Sequence, residues 1–145
     1  MQSTLKDFVE FMQTSFGILA GITAFFPFVN LLKPLIPFPK PIRQISVASS
    51  SIACAFGIYF VFSLSKNNNI SEWVSLILFI IGILSLLFIM VVATSSGNLD
   101  EEDVIDMGCL SPLLILCHIL TFACITSAFS ILAANDFWSS RSLGV

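Results

Sequence analysis

Four long runs of apolar residues, separated by short polar segments, dominate the chain and cover about residues 15–33, 45–65, 72–95 and 112–134. A helix rises about 1.5 Å per residue, so the longer runs can cross a hydrocarbon core of about 30 Å. The runs are continuous rather than alternating, and a segment in lipid must satisfy its own backbone hydrogen bonds, so we expect helices and not strands. The pattern predicts an all-α integral membrane protein built as a four-transmembrane-helix bundle.

A short stretch before the first run has a different pattern. Leu5, Phe8, Val9 and Met12 recur at helical spacing, with polar residues between them. This spacing predicts an N-terminal amphipathic helix. Two arrangements are open: the helix lies in the membrane interface, or it runs on into the first span.

Residues next to the runs indicate where helices begin. Ser71-Glu72 and Ser111-Pro112 each combine a capping serine with an acid or a proline at the first helical position. Between the first two runs, the segment 33–41 holds four prolines in nine residues. Proline interrupts helices, so we expect an extended connector over this segment.

The composition agrees with a membrane protein. Of the 145 residues, 57% are hydrophobic and 10% are charged, whereas soluble domains carry about 25% charged residues. This excludes a soluble monomer and intrinsic disorder, and we expect a single membrane domain over residues 1–145. The net charge is −3, and no basic tract is present that would bind nucleic acid.

The basic residues do not orient the spans by number alone. With four spans, three basic residues lie on the side of the two chain ends and three on the other side. The first group is Lys6, Lys66 and Arg141, and the second is Lys33, Lys40 and Arg43. Around the first span the balance favours a cytoplasmic proline-rich connector. We expect a multi-pass protein of a plasma or inner membrane, with its orientation open.

Small residues are concentrated on three of the four predicted helices: they fill much of the first half of the second span, and they form stripes on the first and fourth spans. Gly17, Gly21 and Ala24 share one face of the first span, and a second set follows one face of the fourth span. That second set is Cys117, Thr121, Cys124 and Ala128. Small side chains let helix backbones approach closely in a membrane. Both stripes are therefore candidate homo-oligomer interfaces, and packing inside one bundle is the alternative.

His118 is the one histidine of the chain and lies within the fourth run. Bulky apolar neighbours disfavour a charged imidazole, so we expect a neutral, hydrogen-bonded structural residue. An ionisable group inside a span is also a functional candidate, and a proton-sensitive role is the alternative. No cluster of metal-ligand residues accompanies it, and no metal or cofactor is expected.

Five of the nine acidic residues fall within seven positions, between the third and fourth runs. Asp100, Glu101, Glu102 and Asp103 begin this acidic connector. One interpretation is a solvated connector that caps a helix. The other is a docking site for a basic protein partner, or a vestibule that concentrates cations.

No nucleophile–base motif or cofactor loop is visible, so we expect no enzymatic activity; a membrane enzyme that uses His118 is the weakest alternative. The first hypothesis is a small membrane subunit, effector or adaptor that self-associates in the bilayer through its small-residue faces. In architecture alone, such a protein is similar to small membrane subunits of bacterial antiviral defence systems and to eukaryotic tetraspan adaptors. The second hypothesis is an oligomeric channel with a path lined by Ser, Thr and Cys.

Overall fold

The computed structural model describes residues 2–32, 40–66, 70–95 and 111–143. Within these ranges 95% of the residues are helical and none form a strand, so the predicted all-α class is confirmed for them. The described residues form five helices, numbered here in chain order: α1 (Gln2–Met12), α2 (Ser15–Leu32), α3 (Lys40–Ser65), α4 (Glu72–Ser95) and α5 (Ser111–Leu143).

Three of the helices, α3, α4 and α5, are long and apolar enough to cross a membrane. The pair formed by α1 and α2 is bent by 88° and makes a fourth candidate span if it is counted as one unit. The sequence predicted several apolar spans, and the structure has three to four helices that are candidates for them. Because of the bend, α1 is not a straight continuation of α2.

The bend between α1 and α2 is built from a threonine cap and a glycine. The Thr14 hydroxyl donates to the Phe11 carbonyl at 2.8 Å and accepts the Gly17 amide at 3.1 Å, which satisfies one of the free N–H groups at the start of α2. A Cβ atom on Gly17 would collide with the carbonyl oxygen of Phe11. Glycine is therefore required here for the close approach of the two helices.

The central helix is α5, which packs against α2, α3 and α4 and also contacts α1. The most apolar window of α5 is 44% buried, against 17% for α4. The main neighbour of α4 is α5. The bundle is therefore not a symmetric square of four helices, and α4 is its most peripheral member.

Contacts between helices give the relative directions of α3, α4 and α5. Along α3 and α5, Ser50 meets His118 and Ser65 meets Trp138, so these two helices are parallel. The Ser75 hydroxyl of α4 donates to the carbonyl of Ala128 in α5. Further along α4, Gly82 approaches the earlier part of α5 at Ile125, so α4 and α5 are antiparallel.

At one end of the bundle, five aromatic side chains pack together; we call Phe8, Phe11, Phe62, Phe137 and Trp138 the aromatic cluster. The ring centroids of Phe11 and Phe62 lie 5.1 Å apart, and those of Phe137 and Trp138 lie 4.8 Å apart. Phe11 is fully buried. The apolar face of α1 therefore covers this end of the bundle, where α3 ends and the last part of α5 lies.

Two helix boundaries differ from the sequence-based expectation. The third helix, α3, begins at Lys40 rather than near 45, so the last two residues of the proline-rich segment belong to its first turn, where proline is tolerated. The central helix continues past 134 to Leu143, because no glycine or proline interrupts it before Gly144. The extra turns carry Phe137 and Trp138 to the aromatic cluster.

Candidate functional site

Away from the aromatic cluster, the interior holds buried polar side chains among the apolar ones. Ser46, Ser50 and Cys54 follow one another at four-residue steps on α3 and are all fully buried. Residues four apart lie on one face of a helix, and this face meets His118 and Thr126 of α5. Thr126 in turn contacts Thr23 of α2. We call these six residues the polar column.

His118 is 1% exposed and has two hydrogen-bonding partners on α3. The Ser50 Oγ and His118 Nδ1 atoms are 2.7 Å apart, and the backbone of Ser46 also hydrogen-bonds the ring. On its own helix, the Phe122 ring packs edge-on against the imidazole, with centroids 4.8 Å apart. The imidazole therefore joins α3 to α5 without contact with the surroundings.

Thr126 joins three helices in the middle of the bundle. Its Oγ1 atom lies 3.1 Å from Oγ1 of Thr23 in α2 and 3.5 Å from Sγ of Cys54 in α3. The Thr23 hydroxyl in turn donates to the Ala20 carbonyl at 2.8 Å. Such hydrogen bonds between apolar helices fix their register.

One polar atom of the column is unsatisfied. The Oγ atom of Ser46 is buried and has no hydrogen-bond partner, a condition that costs about 1–3 kcal/mol for a neutral group. None of the six residues of the column is Asp, Glu, Lys or Arg. The column is therefore an uncharged chain of hydroxyl, thiol and imidazole groups. It ends at the apolar side chains of Ile58, Val61 and Ile131, which pack with the aromatic cluster.

A charged contact lies at the end of the bundle that carries the aromatic cluster. Arg141 in the last part of α5 forms ion pairs with Asp7 at 2.6 Å and with Glu10 at 3.4 Å. The same guanidinium lies over the Phe137 ring, 5.3 Å from its centroid. This contact attaches the polar side of α1 to α5, next to the aromatic cluster.

The stripe predicted on the first span lies partly against α1. Gly17 is in close contact with the end of α1, and a Cβ on Gly21 would lie 3.5 Å from the Met12 Cε atom. Ala24 is half-buried and packs next to the aromatic cluster. Gly17 and Ala24 pack within the chain, as in the intrachain alternative, and Gly21 is half-buried. Gly17 and Gly21 both border an outward groove.

The stripe predicted on the fourth span is divided. Thr121 and Ala128 are buried. The backbone carbonyl oxygens of both residues lie against α4. Cys117 and Cys124 of the same stripe are half-buried. Self-association through this stripe stays a prediction. The acidic connector with Asp100, Glu101, Glu102 and Asp103 lies outside the described residues.

Sequence reasoning missed three contacts between helices. It assigned no packing role to Gly82, which is the point at which α4 approaches α5. It did not pair Thr23 with Thr126, or Arg141 with Asp7. The isolated polar residues within apolar runs were the available signal, since such residues seek partners on neighbouring helices.

Among the described residues, no group of three or more His, Cys, Asp or Glu side chains is arranged to hold a metal ion. No known protein family matches the chain, and neither a curated protein nor a solved structure is significantly similar to it. The described residues define an all-helical protein with three to four helices suited to crossing a membrane.

Proposed function

We propose that this protein is a four-span integral membrane protein whose helices form one bundle and that it acts as a non-enzymatic, self-associating membrane subunit. The distribution of side chains supports the membrane location. Large apolar side chains are exposed along α2, α3 and α4, while hydroxyl and imidazole groups are buried. Water would oppose this arrangement, whereas a bilayer favours it.

The observation that carries self-association is an apolar groove of about 560 Å³ on the outer face of α2. Gly17 and Gly21 lie along it, and Ile18, Ile22 and Phe25 project beside them. In lipid, helices associate where small residues allow close backbone contact rather than through the hydrophobic effect. The occupant we propose for this α2 groove is the corresponding helix of a second copy of the chain.

The test replaces Gly21 with isoleucine and measures the mass of the purified protein in detergent. Gly21 is the informative position because its nearest non-local atom would lie 3.5 Å from a new Cβ, an ordinary contact. A substitution at Gly17 would instead collide with α1 and disturb the fold itself. The matched control is Ala55→Ile, at an exposed position of α3.

We expect an oligomeric wild type, a smaller Gly21→Ile species and an Ala55→Ile species with the mass of the wild type. A monomeric wild type would contradict self-association. An oligomer that Gly21→Ile leaves intact would show that the α2 groove is not the interface.

The polar column favours a second candidate function, a channel. Ser46 and Ser50 point into the interior of a single chain, so a path along them would run through each copy rather than between copies. Such a path would have to open the aromatic cluster. In proteoliposomes, a flux of protons or cations that Ser50→Leu abolishes would support this function over the first.

A catalytic role for the Ser50–His118 pair has less support. Serine nucleophiles are activated by a histidine that a third, acidic group orients through its other ring nitrogen. Here the serine hydroxyl contacts Nδ1 of the imidazole. The imidazole is bonded to that hydroxyl and to a backbone group, and Ser50 and His118 are both fully buried. A substrate could not reach Ser50 in this arrangement.

A further inference from the structure

A second groove runs between α4 and α5 and has a volume of about 540 Å³. Leu76 and Phe79 of α4 and Phe129 and Leu132 of α5 form its apolar walls. This volume lies within the range of about 300–1,000 Å³ that is typical of small-molecule sites. We call it the α4–α5 groove.

One end of the α4–α5 groove is polar. Glu72 and Trp73, in the first turn of α4, lie at this end, and Trp73 is 72% exposed. The neighbouring Ser75 hydroxyl donates to the Ala128 carbonyl at 2.8 Å. The Glu72 carboxylate is therefore the charged group that the groove offers to a ligand.

Glu72 and Trp73 select the same kind of ligand. A carboxylate attracts a cation and repels an anion, and the face of an indole ring attracts a cation within about 6 Å. Tryptophan is also enriched where a membrane protein crosses the headgroup level of the bilayer. Asp136, one helical turn beyond Leu132 on α5, is exposed and adds a second acid on that side of α5.

We propose that the α4–α5 groove binds one phospholipid with a primary ammonium headgroup, such as ethanolamine, with the ammonium at Glu72 and Trp73 and one acyl chain between the helices. A primary ammonium offers N–H donors to the carboxylate, which a quaternary ammonium lacks. From Glu72 to Phe79 the groove runs about 10 Å along α4, enough for the upper part of an acyl chain. This inference rests on the membrane location in the proposed function.

The test uses the full-length protein in detergent with an equimolar mixture of ethanolamine, choline and glycerol phospholipids that carry identical acyl chains. Native mass spectrometry measures which lipids stay bound. We expect the ethanolamine lipid to be retained about two- to fivefold more than the anionic glycerol lipid, as for a cation at a partly exposed aromatic site. Equal retention of the glycerol lipid would overturn the proposal, and so would equal retention of the choline lipid.

Two variants locate the site. Glu72→Gln should bring the ratio of ethanolamine to glycerol lipid close to one, while Glu10→Gln, an acid outside the groove, should leave it unchanged. Leu76→Trp should fill the groove and lower lipid retention, whereas Leu84→Trp, at an exposed position of α4 outside the groove, should not. A headgroup preference that survives both Glu72→Gln and Leu76→Trp would place the lipid elsewhere.

The same measurement separates the two proposals. If the protein stays soluble without detergent and binds no lipid of any kind, the membrane location itself fails. If it needs detergent and retains lipids without headgroup preference, the membrane location stands and the lipid site fails.

Discussion

At the scale of single residues, His118 is the largest fully buried polar side chain of the described residues. A single histidine among apolar neighbours allowed the expectation of a neutral, bonded ring. Its partners, Ser50 and the backbone of Ser46, depend on how α3 lies against α5. Helix periodicity gives the faces of each helix but not their pairing, so these partners could not be predicted.

The Ser50→Ala variant should destabilise the bundle because the buried imidazole loses a partner that water cannot replace. Interhelical hydrogen bonds in membrane proteins contribute about 0.6 kcal/mol to stability on average and at most about 1.7 kcal/mol. We expect Ser50→Ala to lower the free energy of unfolding by an amount in this range. The measurement is the free energy of unfolding in mixed micelles. Ser63→Ala, on the exposed side of α3, is the control. If both variants lose the same stability, the Ser50–His118 contact contributes nothing.

Substitution by alanine is expected to change the stability of the bundle in opposite ways at two glycines. A Cβ on Gly82 would lie 2.6 Å from Cγ1 of Ile125 and 3.1 Å from the Thr121 carbonyl oxygen, so Gly82→Ala must push α4 away from α5. We expect a loss of about 1–3 kcal/mol, as for other overpacked sites. Gly21→Ala meets the Met12 Cε atom at 3.5 Å and should be neutral or stabilising by up to about 1 kcal/mol. Thermal melting in detergent should rank the two variants in this order, and the reverse order would contradict the packing of α4 on α5.

At the scale of whole elements, α1 is held by contacts on two sides. Its apolar side packs into the aromatic cluster, and its acidic side pairs with Arg141. The amphipathic spacing of α1 predicted an apolar face. It did not reveal that the end of the bundle covers this face, because α5 was expected to end near 134 and in fact continues to Leu143.

The Arg141→Gln variant should loosen α1 without unfolding the bundle. The ion pairs involve partly exposed side chains, which contribute about 0.2–1 kcal/mol. Amide hydrogen exchange from Phe8 to Met12 should therefore accelerate by up to about fivefold, and less at high salt, which screens charges. Lys66→Gln, an exposed cation at the end of α3, is the control. Exchange in α1 that Arg141→Gln leaves unchanged would show that the aromatic contacts alone hold the helix.

At the scale of the whole molecule, the order and approximate bounds of the helices could be read from the apolar runs, because each helix must satisfy its own backbone. The predicted third span at 72–95 coincides with α4. The central place of α5 could not be read in the same way. It depends on which polar and small residues meet across helices, such as Thr23 with Thr126 and Gly82 with Ile125.

The central claim is that four helices cross the bilayer and that α1 and the end of α5 lie on the same side. Its most direct test is labelling of single cysteines with a membrane-impermeant maleimide in sealed vesicles, after the native cysteines are changed to alanine. The substitutions Lys6→Cys in α1, Gln44→Cys near the start of α3, Lys66→Cys just after α3 and Ser140→Cys near the end of α5 are all at exposed positions. We expect positions 6, 66 and 140 to react from one side and position 44 from the other. Reaction of positions 6 and 44 from the same side would show that α2 does not cross the bilayer and would contradict the four-span arrangement.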